Sequence, residues 1–196
     1  MQSSNLFGRE HHCIAPAKGK VLISDPFLCD SNFSRSVILL LDHGEEGSFG
    51  LVLNKRSPLL VNELVDEFCY LEDIPLYKGG PVGLDTLFYL HVFPDIEGSL
   101  PVGQGLYLNG DFNAIKRYIL QGNPIEGKIR FFLGYSGWSA RQLQQELEED
   151  TWVVGSLNAS QLMNSKYVDA LWGMSVQRLG GEYAQWTHYP QNPSLN

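Results

Sequence analysis

The sequence predicts a single α+β domain built on a mixed, largely antiparallel β-sheet with about four helices. Three observations carry that reading. The chain has 196 residues, which suits one domain. Its composition, 43% apolar and 18% charged, is that of a globular protein. Its early apolar runs are short and joined by turn-type residues, while the later ones alternate with segments of helical spacing.

Residues 1–18 read as a flexible N-terminal arm, 19–190 as the domain and 191–196 as a frayed tail. Val21-Leu22-Ile23 is a strand closed by Asp25-Pro26. Val37 to Leu41 is a second apolar run, and Phe49 to Leu53 a third. The glycine-bearing turn between them, Asp42 to Gly47, predicts a hairpin. Ser57-Pro58 reads as a helix start, followed by Leu60, Val61, Leu64, Val65 and Phe68 at helical spacing. Thr86 to Phe93 and Gly105 to Leu108 read as strands.

Asp111 is placed to cap a helix carrying Phe112, Ile115 and Ile119, with Gly122 just past its end and Pro124 beyond. Ile129 to Leu133 is a strand, and Leu133 to Ser139 reads as a turn into a helix that starts with the Ser139/Gln142 capping-box pattern. Trp152 to Val154 is a strand, and Tyr167 to Met174 is helical. The aromatic stretch after Gly180 (Tyr183, Trp186, Tyr189) has the composition of a segment that packs.

Twenty-two acidic and fourteen basic residues give a net charge of −8. That balance repels polyanions, and the basic residues form no stripe, so the sequence argues against direct nucleic-acid binding. Three cysteines at wide spacing make no disulfide framework. The first residues lack a secretory pattern, and no stretch reaches the roughly 18 apolar residues of a membrane span. Cytoplasm is the default compartment.

Three loops stand out as candidate ligand contacts. The first contains Asp25, Asp30, Asn32 and Arg35, where carboxylates and an arginine fork can orient an anion. The same residue types serve equally to satisfy their own loop backbone, with Arg35 paired to Asp25 or Asp30. The second is Gly79-Gly80-Pro81, a turn that can line a pocket or merely reverse the chain. The third holds Gly134, Tyr135, Gly137, Trp138 and Gln142. It reads either as close strand–helix packing or as an anion site at a helix start. It is neither a nucleophile elbow nor a P-loop. His91, in a strand, is the nearest thing to a proton carrier. His11-His12-Cys13 lacks a second cluster to complete a metal site, and the sequence names no cofactor.

These stretches carry a resemblance. Gly19 to Pro26, Asp30 to Val37, Gly47 to Asn54, Gly79 to Val82, Leu90-His91, Leu133 to Trp138 and Gln142 to Leu147 follow in an order that resembles the YqgE/AlgH family over roughly residues 19 to 179. Family members carry alanine where Ser136 stands and a Gly-Gln pair where this chain has Arg141-Gln142. The resemblance implies an intracellular bacterial protein with a compact α+β fold and a transcriptional-regulator label tied to exopolysaccharide control. It carries over no catalytic residue.

The reading that follows is a non-enzymatic regulatory or ligand-sensing protein whose three loops converge on one patch. Its partner is a small anionic ligand or another protein. One rival is an enzyme acting on an anionic small molecule, held by Arg35 and worked by His91 or an aspartate. The other is a direct DNA-binding regulator.

Overall fold

The computed structural model describes residues 14–190, so the expectations placed on His11, His12, Cys13 and the tail 191–196 lie outside the described residues. Among the described residues the chain forms ten strands and four α-helices, the α+β architecture expected.

One half of the sheet is antiparallel throughout. It runs β10 (Trp152–Gly155), β1 (Val21–Ser24), β2 (Val37–Gly44), β3 (Gly47–Val52). The hairpin of β2 and β3 forms as predicted, with a register shift between Leu40 and Asp42. The apolar runs of β1 and β2 do not alternate because both faces are covered. Val21, Ile23, Val37 and Leu39 face α4 (Leu171–Leu179) and the 3-10 helix Gly181–His188, packing with Trp172, Val176, Tyr183 and Trp186. The intervening Leu22, Ile38 and Leu40 face the other way. They pack with Trp138, Trp152 and Leu143, the last from α2 (Gln142–Glu148).

The other half is less regular. β4 (Arg56–Leu60) pairs with β5 (Pro75–Lys78), and β6 (Val82–His91) pairs with β8 (Leu106–Leu108), which pairs with β7 (Leu100–Gly103). Its core sets Ile115 and Ile119 of α1 (Phe112–Leu120) against Phe131, Tyr89, Val61 and Phe68. Asp111 caps α1 as predicted, accepting from the Asn113 N–H at 2.9 Å.

β9 (Ile129–Ser139) joins the halves. Its first part lies parallel to β5 and antiparallel to β6, and its last four residues pair with β3. The switch occurs at Gly134, whose φ is 68°. Where β3 and β9 diverge, Gly79 fills the gap: its carbonyl accepts from the Val52 N–H at 2.8 Å and its N–H donates to the Leu133 carbonyl at 2.9 Å. A methyl group on Gly79 would lie 2.2 Å from the Gly134 carbonyl oxygen, and one on Gly80 equally close to Tyr135. Three glycines therefore permit a backbone crossing that no side chain would admit.

Four elements differ from the sequence reading. The helix expected from Ser57 to Phe68 is instead β4 followed by 3-10 turns at Val61–Glu63 and Asp66–Phe68. The Asn62 side chain competes for the backbone. Its amide donates to the Phe68, Leu71 and Glu72 carbonyls and its oxygen accepts from the Ile74 N–H at 2.8 Å, fixing a loop. Val61, Val65 and Phe68 are still buried, but Leu64 is exposed. Residues 134–139 continue the strand rather than turning into a helix, because pairing with β3 holds them extended. Gln142 accepts from the Ser139 N–H at 3.0 Å, the half of the box expected, yet α2 begins only at Gln142. The last helix starts at Leu171, after α3 (Ala159–Met163) and a 3-10 turn at Ser165–Tyr167. Asn158 is the N-cap of α3.

Candidate functional site

The loop between β1 and β2 spends its carboxylates locally. Asp25 accepts from the Phe27 N–H at 2.7 Å, and Asp30 from the Asn32 and Phe33 N–H groups at 2.7 and 3.1 Å. These are the Asx turns that such residues favour. Arg35 turns towards the C-terminal segment. Its guanidinium lies 4.6 Å from the Trp172 ring centre and donates to the Tyr189 carbonyl. Phe27 packs at a tilt against Tyr189 beside it, so this arginine fastens the Tyr189 segment onto the loop.

The same loop presents Ser31 and Asn32 to a cavity of about 700 Å³. Gly80 and Pro81 form another part of its wall, and Leu133 closes it at the end of the β9 segment that precedes the glycine crossing. Lys55, Arg56 and Lys78 also line it, opposed by Asp169. Lys55 is half-buried and donates to the Ser34 carbonyl at 2.6 Å. Partial burial pulls its pKa below the ordinary lysine range, because desolvation penalises the ammonium. Asn54 anchors the wall by accepting from the Val37 N–H and donating to the Arg35 carbonyl, both at 2.9 Å. The arrangement offers cationic and amide donors on a glycine-bearing wall, the chemistry that holds a small anion.

Of the residues singled out by sequence, Asn32 and Gly80 line this cavity, with Gly79, Gly134 and Tyr135 directly behind it at the crossing. Tyr135 packs on Phe49 and Phe88. Gly137 pairs with Phe49 across β3 and β9.

Trp138 is buried on the other face. Its indole N–H and that of Trp152 both donate to one oxygen of Glu146, at 2.8 and 2.7 Å. Gln142 donates to the other oxygen at 2.9 Å. His91 is fully buried, stacked near Tyr89, Phe93 and Tyr107. Its Nε2 lies 2.7 Å from the Asn109 carbonyl, and its Nδ1 accepts from the Phe93 N–H at 3.2 Å. That pairing fixes the neutral tautomer, and desolvation lowers its pKa. The histidine is a core bracket with both nitrogens committed.

Sequence reasoning missed Lys55, Arg56 and Lys78 as wall residues. Their only signal was the adjacent Lys55-Arg56 pair. It also missed Arg130, whose signal is one charge inside the apolar run Ile129 to Leu133. Among the described residues there is no cluster of three or more metal-ligating side chains, and no helix long and apolar enough to cross a membrane.

Comparison with known proteins agrees with this architecture. A UPF0301 protein of Bacteroides fragilis is 55% identical over 194 residues, covering 99% of this chain and 98% of its own length. A UPF0301 protein of Bacteroides thetaiotaomicron is 52% identical over 193 residues, covering 98% of each. A crystal structure of a Corynebacterium diphtheriae protein superposes with a TM-score of 0.74 at 27% identity, covering 89% of this chain and 93% of that one. The solution structure of the AlgH protein from Pseudomonas aeruginosa gives a TM-score of 0.65 at 26% identity, covering 97% and 98%. The family model described as DUF179, AlgH-like, matches residues 21–184, across both halves of the sheet and the glycine crossing between them. By sequence and by fold, the chain belongs to the AlgH-like UPF0301 family.

Proposed function

We propose that this chain is a non-enzymatic ligand-sensing protein of the bacterial cytoplasm. It binds a small anionic molecule in the cavity walled by Asn32, Lys55, Lys78 and Gly80, and influences transcription indirectly through a protein partner. The observation that carries this reading is the convergence of three cationic side chains on one cavity in a chain whose net charge is −8. A local excess of donors against an acidic background attracts a small anion while the rest of the surface repels a nucleic-acid backbone. The commitment of both His91 nitrogens to the core removes the histidine that an enzymatic reading would use as proton carrier.

A thermal-shift screen of the intact chain against nucleotides, phosphorylated metabolites and metals tests the reading. A ligand at a hundred times its Kd adds about 2.7 kcal/mol of stability. An anionic compound is expected to raise the Tm, and the double substitution Lys55→Ala, Lys78→Ala to abolish the shift. Lys78→Ala alone should change the ligand-free stability by less than about 0.5 kcal/mol, since that side chain is exposed. A full set of anionic compounds without a Tm rise would sink the proposal. So would a mobility-shift titration with duplex DNA that shows tight binding falling steeply with salt.

A further inference from the structure

The cavity that carries Lys55 and Lys78 is apolar over much of its wall. Pro58, Leu59, Pro81, Leu84 and Leu133 line it, and no aromatic side chain among the described residues does. Leu59 and Leu84 are 38% and 61% exposed. A single exposed leucine is ordinary. Two on one cavity, beside further apolar residues, make the kind of patch that marks a binding groove.

Charge and apolar surface are ordered along the strands. Lys78 and Leu133 are register partners where β5 runs parallel to β9. The next residue, Gly134, has no side chain, and Leu84 fills the space: its Cδ2 would lie 3.2 Å from a methyl group there. The wall therefore runs from an ammonium through Leu133 to Leu84. The cations are not equivalent. Lys55 already donates to the Ser34 carbonyl, and Arg56 to the Ser165 carbonyl at 3.2 Å. Among the described residues, Lys78 makes no side-chain hydrogen bond or ion pair, and it is exposed. Asp169 offsets part of the remaining positive charge. One uncommitted ammonium suits a singly charged head, and the carboxylate on the wall disfavours a polyphosphate.

We infer that this cavity takes a free single-chain amphiphile of the fatty-acid class, its carboxylate at Lys78 and its alkyl chain along Leu133, Leu84 and Leu59. The inference rests on the anion-binding reading of the same cavity and names the ligand class. A few placed polar groups on a largely apolar wall are the usual make-up of a small-molecule site. A nucleobase would stack on an aromatic face, and the wall offers aliphatic surface instead. A bilayer is the poorer source of the same chemistry, because a chain of net charge −8 is repelled by anionic lipid.

The experiment is isothermal titration of the full chain at neutral pH with acetate, butyrate, hexanoate and octanoate, alongside inorganic phosphate and octylammonium. Amide chemical shifts are followed in parallel and should centre on Gly80 and Leu84. Affinity should rise about twofold to fourfold per added methylene, the upper value being that of full burial. Octylammonium has the same tail and the opposite head, and should bind about tenfold or more weakly than octanoate. Leu59→Gln with Leu84→Gln alters exposed positions, so its Tm should hold. It should flatten the series and leave acetate unchanged. Lys78→Ala should weaken every carboxylate while the rise with chain length persists. Vesicles of phosphatidylglycerol and phosphatidylcholine should not sediment the protein. A flat series with lysine-dependent binding of acetate and phosphate would overturn this inference and leave the anion-binding reading standing. No binding by any of the anions would overturn both. The inference also fails if octylammonium matches octanoate, if the leucine pair keeps the full rise, or if the vesicles capture the protein.

Discussion

The two ends of β9 lie a few residues apart and have opposite surroundings. From Ser136 to Ser139 the strand pairs with β3, and its polar atoms are accounted for: the Ser136 hydroxyl donates to the Gly79 carbonyl at 3.1 Å, and the Trp138 indole to Glu146. From Ile129 to Leu133 it borders two cavities, and Arg130 keeps an unpartnered nitrogen. The strand is the same, but the cover is not. The first end lies under α2 and a close aromatic cluster. The second packs Phe131 against α1 on one face, while 3-10 turns and loops around it leave space. Stability concentrates where the cover is continuous, and open space where it is broken.

The sharpest way to break this contrast is at the junction itself. Gly79→Ala would press a methyl group onto the Gly134 carbonyl at 2.2 Å. A backbone overlap of that kind has no flexible neighbour to absorb it. The expected cost exceeds about 4 kcal/mol, among the largest single-substitution effects. Calorimetry should show a Tm lowered by ten degrees or more, or no folded protein. A shift of only a degree or two would mean that the crossing yields, and the contrast would lose its rigid centre.

At the well-covered end, Glu146→Ala strands two indole N–H groups that now share one carboxylate oxygen. An unsatisfied buried donor costs about 1–3 kcal/mol, so urea denaturation should show a loss of about 2–4 kcal/mol, with altered near-ultraviolet circular dichroism from Trp138 and Trp152. Full stability would show that this face relies on apolar packing alone.

The smallest expected effect is pH-dependent. His91 is held neutral in the fold with its pKa lowered from 6.5 by desolvation, while the unfolded chain titrates near 6.5. Below that pH the unfolded state takes up a proton that the folded state resists. The contribution is therefore complete above pH 6.5 and is lost progressively as pH falls from there towards the folded-state value. His91→Gln keeps a donor and an acceptor but does not titrate. The Tm difference between parent and variant should narrow or reverse between pH 7 and 5. A difference that stays constant with pH would show that the imidazole is not held neutral.

Much of the better-covered half was legible in the sequence, because its strands are unbroken apolar runs; in the other half α1 was legible because it carries its own cap. The segment from Ser57 to Phe68 misleads because a loop folded around Asn62 buries Val61, Val65 and Phe68 at the spacing a helix would use. β5 and β7 are four residues each and contain proline, too short for a periodicity to register. For the site, Asn32 and Gly80 announce themselves as polar and glycine-bearing loop residues. Lys78 does not, since its place in the wall depends on β5 lying parallel to a strand more than fifty residues later. That pairing depends on the close approach of Gly79 and Gly134, which only coordinates reveal.

Because β9 contributes hydrogen bonds to both ends of the sheet, losing it would strip β3 and β6 of one partner strand each and separate the two halves. The molecule thus has no hinge line along which one sub-lobe could melt while the other persisted. Thermal denaturation should follow a single cooperative transition, with one melting curve whichever probe is watched. A ligand held at the loosely roofed end would then protect amides at the far one as well.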